Sequence, residues 1–211
     1  SYTTDNDIST SPSFAIVNDD VYMFFGNDDG MVYAMHLDKN SGNWNAINPI
    51  WTDQIISHGL FGHDMDIYND RAIIGSRDGN IAIEYLFNSS SLNWKPKQVF
   101  SPMKLQSKGR FGYSVKLSDK KVFIGYPGVD KKGEVQVFNR DQNQWVLDQT
   151  IVIDDIQEEL FFGASLSINE NNLMIGNFNG EKVYSFELSN NNTYNNTQVL
   201  APENLPGSKF G

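Results

Sequence analysis

Four copies of one pattern, about fifty residues apart, constrain this chain more than any other feature. Phe-Gly recurs as Phe61-Gly62, Phe111-Gly112, Phe162-Gly163 and Phe210-Gly211, at steps of 50, 51 and 48. The glycine closing the second apolar run of each copy recurs as Gly26, Gly75, Gly125 and Gly176, at steps of 49, 50 and 51. An aromatic follows at Trp44, Trp94, Trp145 and Tyr194. Four residues beyond it stands Asn48, Gln98, Gln149 or Gln198, and six beyond it Ile50, Phe100, Ile151 or Leu200. A period of this length is the signature of a propeller or a solenoid.

One copy resolves into four short segments. Tyr113 to Leu117 alternates apolar and polar residues, as a half-buried strand does. Ser118-Asp119-Lys120 has turn chemistry, and Lys121 to Tyr126 is a dense β-branched and aromatic run. Glu134 to Phe138 alternates again, and Asp141-Gln142-Asn143 leads into Trp145 to Ile151. No stretch carries apolar residues at helical spacing. Four strands joined by tight turns make a propeller blade, so the fold class expected is all-β: a β-propeller of four-stranded antiparallel blades, four in this stretch. Val122, Phe123, Ile124 and Val137 are expected in the core, with Trp94 and Trp145 opening outer strands. The expected units are 12–60, 61–110, 111–161 and 162–209, after a linker or preceding segment at 1–11. Phe210-Gly211 reads as the start of a further blade. The expectation is therefore an excerpt of a longer chain or assembly, the alternative being a four-blade ring closed by Phe210-Gly211 beside Phe14.

The residues that carry the repeat (FGYSVKLSDKKVFIGYPG, then GEVQVF, then Trp) resemble the FG-GAP repeat, with IGYPG in place of its Gly-Ala-Pro element. The resemblance runs from about Pro12 to Gly211 and is weakest in the first unit, where Pro12-Ser13 stands at the Phe-Gly position. It implies an extracellular propeller used for adhesion or as a scaffold, and no particular reaction. The integrin-type members carry an Asp-x-Asp-x-Asp-Gly calcium loop. Here that interval holds only Asn18-Asp19-Asp20, Asn69-Asp70-Arg71, Ser118-Asp119-Lys120 and Asn169-Glu170-Asn171, so no metal is assigned. The run GMVYAMHLDKNSGNW is also similar to a repeat of quinone-dependent dehydrogenase propellers, in one unit only.

Composition narrows the partners. A net charge of -10 argues against a nucleic-acid binder, which needs a basic stripe to displace counterions. Lys104, Lys108 and Arg110 make one local basic spot, read as a solvated loop. With no cysteine there is no disulfide framework or Cys-based metal site. No apolar run is long enough to span a membrane.

Candidate chemistry is sparse. Small residues, Ala15, Ser114 and Ala164, are read at the innermost-strand position where the second unit has Asp64, flanked by His63 and Asp66. A ligand carboxylate is one reading of Asp64 and a solvated channel-wall acid the other, the latter preferred. His36, His58 and His63 form no metal or catalytic set, and Ser76-Arg77-Asp78-Gly79 begins a sialidase motif that Ile83 breaks where Trp is required. Asp154-Asp155 and Glu158-Glu159 read as a solvated connection. The expectation is accordingly no catalytic, metal or cofactor-binding residue and no enzyme.

Three Asn-x-Ser/Thr acceptors, Asn88, Asn191 and Asn195, fall at or beside the outer hairpin, where a glycan is tolerated. They point to the cell surface or exterior. The functional expectation is a non-catalytic structural or adhesive module binding protein or glycan through the loops of one rim. Those loops are Asn27 to Gly30, Arg77 to Gly79, Pro127 to Gly133 with Lys131 and Lys132, and Asn177 to Gly180, together with the connections between units. The alternative is a propeller enzyme or cofactor-binding domain of the quinone-dependent dehydrogenase kind.

Overall fold

Alternating and β-branched runs give sixteen strands in four antiparallel meanders, and no helix among the described residues. The structure, a computed structural model, describes residues 10, 12–17, 19–27, 30–50, 59–88, 90–91, 93–106, 109–128, 132–153 and 161–201. The first sheet is β1 (Ser13–Val17), β2 (Asp20–Gly26), β3 (Val32–Leu37) and β4 (Trp44–Ile50). The second is β5 (Phe61–Tyr68), β6 (Arg71–Ser76), β7 (Ile81–Asn88) and β8 (Asn93–Phe100). The third is β9 (Val115–Leu117), β10 (Lys121–Tyr126), β11 (Glu134–Asp141) and β12 (Gln144–Ile151). The fourth is β13 (Phe162–Asn169), β14 (Asn172–Asn177), β15 (Lys182–Leu188) and β16 (Tyr194–Leu200). The first strands pack side by side, β1 on β5, β5 on β9 and β9 on β13, so each sheet is a propeller blade with its opening strand innermost.

A blade buries both faces only between two neighbours, and the apolar core accordingly lies in three layers between successive blades. Val122, Phe123, Ile124 and Val137 are all buried as expected, and Trp94 and Trp145 stand second in the outer strands β8 and β12. The repeat markers turn out to be the contacts between these layers. Leu60, Arg110 and Phe161, each just before a Phe-Gly, have positive φ, and so do Gly62, Gly112 and Gly163. This double left-handed turn swings the glycine carbonyl onto the preceding blade. There the strand-two glycine receives it: a Cβ on Gly26, Gly75 or Gly125 would lie 2.6, 2.1 or 2.1 Å from the carbonyl oxygen of Gly62, Gly112 or Gly163. The two glycine series are therefore the two sides of one contact, which explains why they keep step.

The outer strands are tied by a second device. Gln98 donates through Nε2 to the Trp145 carbonyl (2.8 Å) and accepts from the Trp145 N–H (2.9 Å). Gln149 does the same to the Tyr194 carbonyl (2.9 Å) and N–H (2.8 Å). Each glutamine thus clasps the backbone of the aromatic that opens the next blade's outer strand. A β-bulge in the third-to-fourth strand pairing recurs in all four blades, at Val32/Ala34, Glu84/Tyr85, Val137/Phe138 and Ser185/Phe186.

Register corrects two sequence alignments. Ser165, not Ala164, pairs with Gly176, as Ser114 bonds Gly125 in the third blade. In the first blade the hairpin of β1 and β2 turns two residues further from its glycine, so Ser13 rather than Ala15 faces Phe24, the partner position that Asp66 takes against Ile73. Ala15 is instead buried against the second blade. The segments 1–9 and 202–211, including Phe210-Gly211, lie outside the described residues, as do most of the inter-blade connections. No helix among the described residues is long and apolar enough to cross a membrane.

Candidate functional site

Four innermost strands around one axis place side chains from different blades in a shared cavity of about 420 Å³. It is lined by Ser13 of β1, His63, Asp64, Met65 and Asp66 of β5, Tyr113 and Ser114 just before β9, Lys116 of β9, and Ala164, Ser165 and Leu166 of β13. The second blade supplies the chemistry. Asp64 accepts a hydrogen bond through Oδ2 from the Val115 N–H (2.8 Å), and Asp66 through Oδ2 from the Leu117 N–H (2.8 Å). Alternate carboxylates of β5 thus cap alternate free N–H groups of β9, completing an edge that no strand pairs. Ser13 donates to the Met65 carbonyl (3.1 Å) and Ser114 to the Gly163 carbonyl (2.6 Å), so each step around the axis is tied by a side chain.

Burial raises both carboxyls above the ordinary aspartate range, against the opposing pull of Lys116 and the N–H donors. His63 is pushed down to about 4, first by burial and then by Arg77 and Arg110, with Asp78 opposing. Its imidazole is uncharged at neutral pH. It meets the Tyr113 ring edge-on, centroids 4.6 Å apart, and the Arg77 guanidinium lies 5.8 Å over the same ring. Arg77 Nε is buried and has no hydrogen-bond partner among the described residues, with Asp78 Oδ1 at 3.5 Å. Arg110 stacks over Phe161 at 5.5 Å. In a chain of net charge -10, an uncharged imidazole, two arginines, a lysine and two carboxyls of raised pKa gather at one end of the axis. Clustered perturbed groups in a cleft make this cavity the candidate functional site.

Asp64 is half-buried on the wall of the central cavity and is also bonded to the next blade. The raised carboxyls also fix a sign. A carboxyl whose folded pKa exceeds its unfolded one imposes no penalty below the unfolded range, near pH 4, and destabilises the fold increasingly as pH rises through the folded value. Asp64→Asn keeps an acceptor for Val115 and removes the buried charge. This variant is expected to be more stable than the parent at pH 7, with the difference shrinking as pH falls towards about 4. Urea unfolding of both across that range checks it, and a variant less stable at pH 7 would refute it.

The remaining sequence candidates lie elsewhere. His36 sits on β3 with Nε2 3.5 Å from Asp20 Oδ1, away from the axis. The Lys104 carbonyl accepts from the Tyr126 hydroxyl (3.1 Å), in a loop whose residues 103–105 are exposed. His58, Lys108, Lys131 and the acid pairs at 154–155 and 158–159 lie outside the described residues. Asn88, Asn191 and Asn195 are exposed, and Asn88 Oδ1 accepts from the Ser90 and Ser91 N–H groups (3.1 Å each). No three acids or histidines among the described residues are arranged to hold a metal. The sequence reading offers Arg77 only as the start of a rim loop, and it offers neither Tyr113 nor Lys116 as a site residue. The available signal was repeat position, because Tyr113 and His63 each stand two residues after a Phe-Gly phenylalanine.

A larger cavity, about 860 Å³, opens on the opposite rim between the third and fourth blades. Its buried Lys121 is engaged locally: Nζ donates to Asn139 Oδ1 (2.6 Å), lies 3.8 Å from Asp148 Oδ2 and sits 5.7 Å over the Tyr194 ring. Burial lowers its pKa, with Asp148 opposing. These contacts join two blades and leave the central cavity as the candidate site.

No protein-family model matches the chain, and no curated protein matches it. Solved structures do. The chain is similar to a protein from Lactobacillus plantarum (12% identity, TM-score 0.68, covering 90% of this chain and 55% of that one). It is also similar to the periplasmic gluconolactonase PpgL of Pseudomonas aeruginosa (12%, TM-score 0.66, 89% and 53%). A third likeness is to a Bacteroides uniformis protein provisionally named a 6-phosphogluconolactonase (11%, TM-score 0.69, 93% and 57%). The chain spans little more than half the length of these structures.

The likenesses establish the propeller-like fold. They also correct the functional expectation: the named propellers are lactonases, so the non-catalytic adhesive or structural module, and with it the absence of an enzyme, is withdrawn. The physical reason for the error is plain. The Phe-Gly and glycine markers behind the adhesive reading are blade-to-blade contacts, which a propeller needs whatever it does.

Proposed function

We propose that the axial cavity is the site of a lactone-hydrolysing propeller acting on a small sugar-derived lactone. The observation that carries the proposal is the convergence on one axis of two half-buried carboxyls with raised pKa, uncharged His63 and under-bonded Arg77. Opening a lactone needs a group to take a proton from water and donors to hold the oxygen on which negative charge develops. Asp66 is the proton acceptor proposed, because burial brings its basicity nearer neutrality while leaving it less enclosed than Asp64. His63 and Arg77 are the proposed donors to the carbonyl oxygen. A cavity of about 420 Å³ is within the range of small-molecule sites. The lactonase names of similar propellers support the reaction class, and a sugar ring retains the glycan element of the partner expectation.

Incubating the full chain with glucono-δ-lactone, and following acid release with a pH indicator, tests this. Hydrolysis above the spontaneous rate is expected, with Asp66→Asn lowering kcat by about 10²–10⁴-fold at unchanged far-ultraviolet spectrum. No acceleration over buffer across a panel of five- and six-membered sugar lactones would reject it.

FG-GAP kinship is retained as a proposal about how the blades are built, supported by the seating of each Phe-Gly on the preceding blade's glycine. An exported protein is likewise proposed, supported by exposed acceptors at Asn88, Asn191 and Asn195. Enzymatic deglycosylation of the native protein is expected to lower its mass; an unchanged mass would refute occupancy.

A further inference from the structure

We propose that the rim cavity between the third and fourth blades binds a small carboxylate with an apolar body, and that Lys121 holds its carboxylate. The inference rests on this cavity and on a comparison between two blades, and it is independent of the lactonase reading.

The second and third blades differ at one buried pair. Arg71 and Lys121 each stand four residues before the strand-two glycine. Arg71 shares a face of β6 with Ile73, and Lys121 a face of β10 with Phe123, so each cation is turned to the next blade. Arg71 finds a buried carboxylate there, Glu84 Oε1 at 2.6 Å. Glu84 pairs with Ile73, and in the same register Val137 pairs with Phe123. The third blade thus keeps the cation, its side chain 8% exposed, and has valine where the answering carboxylate stood. Lys121 Nζ donates to Asn139 Oδ1 (2.6 Å), its one hydrogen bond among the described residues, so two of its three N–H groups remain. The Asp148 carboxylate, 32% exposed, stands off at 3.8 Å.

The groups that Nζ meets also form the cavity wall: Asn139, and Tyr194, over whose ring Nζ sits at 5.7 Å. Beside them the floor is apolar, with Leu117 and Phe123 buried and Ile168 and Leu188 half-buried. On the wall around Nζ the groups left to bond a ligand are donors: two Lys121 N–H groups, and the amide nitrogen of Asn139, whose Oδ1 is already engaged. Such a set selects a group that only accepts, and a carboxylate accepts through both oxygens.

Size and charge agree with this ligand. A cavity of about 860 Å³ is within the range of small-molecule sites, and an apolar lining with few placed polar groups is their usual composition. Among the described wall residues the cations Lys120, Lys121 and Arg140 outnumber the acids Asp119 and Glu170, in a chain of net charge -10. A bound carboxylate restores the charge-assisted pair that the second blade makes within its own chain, and the apolar body leaves water against Phe123 and Leu188. The lowered Lys121 pKa fits a buried ammonium short of counter-charge.

Isothermal titration calorimetry of the full chain with decanoate, and with decanol as its uncharged counterpart, tests the proposal. The expected result is saturable binding of one decanoate per chain in the micromolar range, with decanol at least tenfold weaker. Lys121→Met and Asn139→Asp should each weaken decanoate at least tenfold, with native far-ultraviolet spectra. Asn139→Asp is isosteric and places a carboxylate where Oδ1 meets Nζ, so it decides the matter if Lys121→Met fails to fold. Lys95→Met removes an exposed charge outside the cavity wall and should leave binding unmoved. No saturable decanoate binding, equal binding of decanol, a loss shared by Lys95→Met, or binding that either folded wall variant leaves unmoved would overturn it.

Discussion

Arg71→Ala is expected to destabilise the protein by about 3–5 kcal/mol, the usual loss when one partner of a buried ion pair is removed. Arg71 Nη1 lies 2.6 Å from Glu84 Oε1, and the Glu84 side chain is only 1% exposed. Glu84 stands on β7 opposite Ile73, which faces the third blade, so its carboxylate is enclosed in the layer between the second and third blades. Its Oε2 is buried with no hydrogen-bond partner among the described residues, so among them Arg71 offsets the desolvation of this charge. Without the guanidinium, the fold must bury a bare carboxylate or open the layer to water. The double variant Arg71→Ala/Glu84→Ala should lose less than the sum of the single ones, because the stranded charge goes with its partner. Urea denaturation of the three variants reads both quantities. A single-variant loss below about 1 kcal/mol would mean that water already reaches Glu84.

Gly125→Ala is expected to lose more than about 3 kcal/mol, beyond the 1–3 kcal/mol typical of overpacking, and to fail to fold if total stability is marginal. The added methyl would sit 2.1 Å from the Gly163 carbonyl oxygen and 2.2 Å from Ser114 Oγ. The serine could rotate away, but the carbonyl belongs to the backbone turn that seats the fourth blade, so relief requires the two blades to part. Gly42 is the control: it has φ +71 and nothing within 4 Å of an added Cβ. Its alanine variant should show only the backbone penalty, about 1 kcal/mol. Thermal melts that place the two variants together would refute the docking role of Gly125.

The fold was legible because packing repeats. A Phe-Gly in one blade and a glycine in the one before must meet, so spacing survives where identity does not. Strand alternation and the buried run from Val122 to Ile124 were readable for the same reason. The innermost register was not. The first hairpin is two residues longer before its turn, which puts Ser13 at the Asp66 position and carries Ala15 away from the Asp64 position it was given, while Ser165, three after Phe162, stands where Ala164 was read. The site was only partly legible. His63, Asp64 and Asp66 stood out as departures from the repeat, but Tyr113, Arg77 and Lys116 reach them from another blade or from a loop. That convergence depends on ring geometry, which sequence neighbours do not reveal. Function was misread because the clearest motifs describe how blades join and carry no information about substrate.

The glutamine clasps reach main-chain atoms alone: Gln98 and Gln149 bond the N–H and carbonyl of the next aromatic, whatever its ring. Trp145 and Tyr194 are consequently held by identical bonds. An interface that recognises backbone asks for no matched change in the neighbour when side chains drift. A unit copied by tandem gene duplication would arrive already able to grip, and be gripped by, any other unit of the array. At the clasp, a whole blade can therefore be added or removed with no compensating substitution in the blade it meets.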